Sequence, residues 1–200
     1  MFPLPVSQLN SFLGRRDFGA KLPLFGICDG DWDLKGRPIE RLPLYRMCKE
    51  HFAAGVPWQE TKVFRDLQER RGNETGGSRN LEPEYLQYLD TLFDAIKAHG
   101  YKTQLELRGE RDFLGTRPGP LNEVQIFVGR DGRCMVKMGL HRTILAKLLK
   151  LDAIPVRTRV RHPDWQAIRD ELCRSGGACQ LSEQAKRHLN HPELQDIRGL

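Results

Sequence analysis

Residues 137–149 read KMGLHRTILAKLL, and how this stretch folds decides how the rest of the chain is read. The pattern closes a strand at Met138, turns at Gly139 and enters a helix at once, with Ile144, Leu145, Leu148 and Leu149 on its buried face. Glycine is the residue that makes such a turn without a steric penalty. The first amides of a helix have no intrahelical acceptor and stand at the positive end of its dipole. Gly139, Leu140, His141, Arg142 and Thr143 therefore form a candidate phosphate cradle. Arg142 adds a forked cation, and His141 adds a further donor or a proton-transfer group. The alternative is ordinary: a glycine before a helix, followed by a solvated His-Arg pair.

Working outward, residues 123–128 (EVQIFV) are β-branched and aromatic enough for a strand. GRDG at 129–132 is a reverse turn, so CMVKM returns as a second strand and the two make a hairpin. AIPVRTRV from Ala153 reads as a third strand, and Pro163 starts a helix that runs to about Arg174. Alternation along the third strand sets Arg157, Arg159 and Arg161 on one cationic face, which can draw phosphate or simply meet solvent. In the N-terminal half, helices are expected over 39–53, from Trp58 to Arg71, and from Pro83 to His99, where Gly100 supplies the stop. Residues 72–80 (GNETGGSRN) resemble a flexible linker, and a short helix is expected after Leu181.

CDGDWD at 28–33 offers Asp29, Asp31 and Asp33. These carboxylates can serve as catalytic bases, Asp31 and Asp33 can ligate Mg²⁺, and any of the three can instead cap a turn. Glu123, at the start of its strand, is a solvated edge residue or a reserve base. The tryptophans Trp32, Trp58 and Trp165 read as packing anchors.

Bulk properties narrow the classes. The 200 residues are 39% hydrophobic and 29% charged, which is ordinary globular material. No apolar run is long enough to span a bilayer and no secretory signal is legible, so a soluble cytoplasmic protein is expected. Cys28, Cys48, Cys134, Cys173 and Cys179 form an odd, scattered set expected to remain free thiols. A net charge of +6 favours an anionic partner such as a nucleotide, a phosphorylated metabolite or nucleic acid.

A strand followed by Gly139-x-His141-Arg142, Ala146 four residues on, a Leu-rich helix and Ile154-Pro155-Val156 resembles the ParB/sulfiredoxin superfamily. GDWD, WQET, GYKTQLEL and VRHPDWQ are similar to phrases in ParB-like bacterial and archaeal proteins. The resemblance implies an α+β fold with a small mixed sheet. It divides the chain into a largely helical N-terminal extension (1–120), the core (121–175) and a C-terminal tail (176–200). It further implies a nucleotide (ATP, ADP or CTP) resting on the glycine turn, and either phosphotransfer to a small hydroxyl compound or a nucleotide-switched, DNA-associated role; Mg²⁺ is expected only from the reading of Asp31 and Asp33 above. Leu140 stands where the sulfiredoxin branch has its cysteine, which argues against sulfinic-acid repair. Met138 stands where the kinase branch has an aspartate.

Overall fold

A computed structural model describes residues 1–14, 25–71, 82–107, 122–175 and 181–198. The linker expected at 72–80, the start of the core at Leu121, and Cys179 lie outside the described residues.

The central hairpin forms as its sequence predicts. Strand β5 (Val124–Val128) is buried along its whole length and pairs antiparallel with β6 (Cys134–Met138). Between them Gly132 takes φ 81°, and a Cβ there would come within 2.6 Å of the Trp165 ring. On the other side β5 pairs parallel with β7 (Ala153–Arg161). The expected α+β class holds: seven strands and seven helices are present among the described residues, in a mixed open sheet.

The remaining strands come from the N-terminal stretch, which was expected to be helices around loops. β1 (Phe2–Pro5) runs antiparallel to β7, and β2 (Ser11–Phe12) runs parallel to β6. β3 (Gly26–Ile27) pairs parallel with the far end of β7, and β4 (Arg37–Pro38) closes the opposite edge against β2. The order is β1-β7-β5-β6-β2-β4, with β3 beside β7. These pieces carry too few residues to show alternation, and their prolines argue against a strand from sequence. Pro3, Pro5 and Pro38 are tolerated because β1 and β4 are edges, where a missing N–H breaks no central ladder. One sheet thus draws strands from both sides of residue 121.

The three predicted N-terminal helices are found. They are α1 (Pro43–Cys48), which widens into a π-type turn over Lys49–Ala53; α2 (Lys62–Arg71), after a 3-10 turn at Trp58–Glu60; and α3 (Pro83–His99). Helix α4 (Leu140–Leu148) follows β6, and α5 (Pro163–Ser175) follows β7. Two short helices, α6 (Glu183–Arg187) and α7 (Gln195–Arg198), complete the described tail.

Helical apolar stripes gather on one sheet face. Met47, Phe64, Leu86, Leu89, Ile144, Trp165 and Ile168 share a cluster there with Val124, Ile126, Val128 and Val136. A smaller cluster of Leu13, Trp32, Phe127, Met135 and Val160 occupies the other face. Each fully buried large aliphatic or aromatic side chain contributes on the order of 1.5–3 kcal/mol. Among the described residues no helix is long and apolar enough to cross a membrane.

Candidate functional site

Gly139 caps α4 with φ 79° and ψ 29°, the left-handed region. Its backbone also lies against β5, so that a Cβ would fall 2.8 Å from Val124 Cγ2 and 3.0 Å from Val124 Cα. Both conformation and space therefore demand glycine. The amide of Thr143 is the first in α4 with an intrahelical acceptor, the Gly139 carbonyl at 3.0 Å, and the Thr143 hydroxyl donates to the same oxygen at 3.1 Å. Among the described residues no side chain caps the helix. The amides of Leu140, His141 and Arg142 precede it in the first turn and have no intrahelical acceptor.

The side chains of this turn point elsewhere than the sequence suggests. His141 Nε2 is hydrogen-bonded to the Tyr85 hydroxyl at 2.7 Å, with Tyr88 edge-on at 5.9 Å between ring centroids. Burial, and secondarily the charge of Arg142, push the imidazole down to about 4, so it is neutral near pH 7. His141 thus offers no cation to a phosphate in this arrangement. Arg142 donates through Nη2 to the Asn122 carbonyl and through Nη1 to the Tyr101 hydroxyl at 3.4 Å. Its Nη1 also lies 3.7 Å from Glu123 Oε2. The expected fork toward phosphate is instead turned onto the segment entering β5.

Glu123, expected at a solvated edge, is buried at 3% exposure. Its Oε1 accepts the Gln104 amide at 2.6 Å, while Oε2 has no hydrogen-bond partner among the described residues. Burial raises the neighbouring Tyr101 phenol to about 12, keeping it protonated as a donor or acceptor in this cluster. Tyr88, Tyr101 and Asn122 were not singled out in the sequence. The i, i+3 spacing of Tyr85 and Tyr88 on α3 is the one signal that foretold a shared face.

The aspartates do not join this site. Asp33, fully buried, accepts the Arg130 backbone amide and Nε, both at 2.9 Å, and Nη2 at 2.9 Å. Asp31 accepts Arg130 Nη2 at 2.8 Å. Hydrogen bonds and charge from Arg130 outweigh burial and hold the Asp33 carboxyl below its usual range. Arg130 belongs to the turn joining β5 to β6, at the opposite end of the hairpin from Gly139. The carboxylates expected to hold Mg²⁺ face a guanidinium here: both oxygens of Asp33 and Oδ1 of Asp31 accept hydrogen bonds from Arg130. Among the described residues no group of three His, Cys, Asp or Glu side chains is arranged to hold a metal ion. Asp29 is exposed, accepts the Gly30 amide at 2.7 Å and lies 3.6 Å from His162 Nε2, at the same distant end.

The cationic strand face is split by a bulge. Pairing of β7 with β5 shifts register between Ile126 and Phe127, where Arg159 is the extra residue. Arg157 and Arg159 lie over the Phe25 ring at 5.4 and 5.6 Å, and Arg159 donates to Gln125 Oε1 at 3.2 Å. Beyond the bulge Arg161 shares a face with Val128 and donates to Glu193 Oε1 at 2.7 Å. Period-two alternation fails here because one residue stands outside the ladder.

Among the described cysteines, Cys28, Cys48, Cys134 and Cys173 are free thiols, as expected. Burial raises Cys48 and Cys134 to about 12, which leaves both chemically quiet. In comparison with known proteins, the chain matches no family model, no curated protein and no solved structure.

Proposed function

We propose that this chain binds the phosphate groups of a nucleotide on the open first turn of α4, in the manner the ParB/sulfiredoxin resemblance implies. The observation that carries the reading is the left-handed Gly139 wedged against Val124, which leaves a helix N-terminus with no side-chain cap at the end of a central strand. Backbone donors and the helix dipole supply the attraction, and the net charge of +6 adds a general bias toward anions. Leu140, His141 and Arg142 contribute amides, while the tyrosine-rich wall around His141 fixes the turn.

Phosphotransfer to a small hydroxyl compound is the second reading, and one observation favours it: the buried carboxylate of Glu123 beside the turn. If transfer occurs, Glu123 is the carboxylate near enough to accept a hydroxyl proton, in place of the distant aspartates. A nucleotide-switched, DNA-associated role rests on the resemblance and on net charge.

Calorimetric titration with ATP, ADP and CTP separates these readings. Saturable, salt-sensitive binding is expected. Absence of saturable binding by all three nucleotides contradicts the site. Release of ADP in the presence of hydroxyl acceptors supports transfer, whereas salt-sensitive duplex binding without turnover supports the DNA-associated role.

A further inference from the structure

The contact between Arg142 and Glu123 is a poor ion pair by its own geometry. The groups are 3.7 Å apart without a hydrogen bond between them, and the fork of the guanidinium is not matched to the two carboxylate oxygens. Good arginine–carboxylate and arginine–phosphate pairs are shorter and bidentate. Glu123 is nonetheless buried, and a buried carboxylate oxygen lacking a hydrogen bond is unfavourable. Arg142 is itself awkwardly placed, since a cation in the first turn opposes the helix dipole. Their charges offset one another across that gap, while Asn122, Tyr101 and the Gln104 amide supply the hydrogen bonds.

We infer that Glu123 is a resident substitute for the ligand anion: its carboxylate draws Arg142 away from the mouth of α4, and a bound phosphate competes for the same guanidinium. The inference rests on the reading of the turn given above and adds its regulation. Arg142 springs from the same turn whose amides would hold the phosphate, so its guanidinium starts beside the proposed ligand. In the resting arrangement Asn122 and Tyr101 take its remaining hydrogen bonds. Occupied, the site would gain a forked cation that the empty site keeps engaged elsewhere. Binding affinity is accordingly set by competition between Glu123 and the phosphate.

The test is a double-mutant cycle read by calorimetric titration of ATP and inorganic pyrophosphate into the full chain. Glu123→Gln removes the competing charge and keeps a carbonyl oxygen for the Gln104 amide. It should tighten ATP binding by about tenfold relative to wild type. In an Arg142→Gln background the same change should give no gain, because the guanidinium it releases is gone. Glu123→Gln also removes the unpartnered carboxylate, so the double variant folds without an isolated buried charge, and thermal melts check each protein before titration. Wild type that binds ATP with Glu123→Gln unchanged or weaker overturns the competition while sparing the turn. A gain that persists without Arg142 also overturns it, since it would then be a field effect alone. Failure of wild type to bind either probe removes the turn reading and this inference with it.

Discussion

Gly139 and His141 sit two residues apart and answer different physical demands. At Gly139 any side chain meets both positive φ and the backbone of Val124. Gly139→Ala should destabilise the fold by about 2–4 kcal/mol in chemical denaturation, combining backbone strain with overpacking. Val124→Ala should restore part of this loss, because it removes Cγ2 but leaves Cα in the way. His141 makes stability depend on pH. Its folded-state value of about 4 lies below the ordinary 6.5, so the unfolded chain binds the proton more readily. Its contribution is fully present above about pH 6.5 and is lost as pH falls toward 4, to a maximum of about 3 kcal/mol. A His141→Gln variant should lack that component when urea midpoints are compared between pH 7 and pH 4. The glycine was legible in the sequence because its role is local. The orientation of Arg142 was not, because Asn122, Glu123 and Tyr101 reach it only through the tertiary fold.

Element by element, long periodic segments were readable and short ones were not. α3 begins and ends where its proline and glycine signals place it, and the β5–β6 hairpin follows its turn residues. β2, β3 and β4 have two residues each, too few for periodicity to register. The bulge at Arg159 is invisible in a pattern of alternating arginines, yet it sends Arg161 to the opposite face and toward the C-terminal segment. There Glu193, 2% exposed, accepts hydrogen bonds from Arg161 and from Trp165 Nε1 at 2.8 Å, and pairs with Arg169 at 3.0 Å. This carboxylate ties residues 192–194 to both β7 and α5. Glu193→Ala leaves two arginines and an indole N–H without their buried acceptor, and should cost about 3–5 kcal/mol in equilibrium unfolding. A loss under about 1 kcal/mol would mean that solvent readily replaces the hub.

At the scale of the whole molecule, one end of the β5–β6 hairpin carries the open helix turn and the other carries the Asp33–Arg130 network. The sequence supplied both sets of residues without showing that five-residue strands separate them. Candidate acids and candidate phosphate donors therefore looked like one site, and the fold makes them two. Central to the account is that the main-chain amides at the start of α4 receive an anion. A ¹H–¹⁵N correlation spectrum recorded during titration with ATP observes those groups directly. Saturable shifts concentrated at Leu140, His141 and Arg142 are expected. Saturation that leaves these three amides unmoved, or that centres on the Arg130 end of the hairpin, would contradict it.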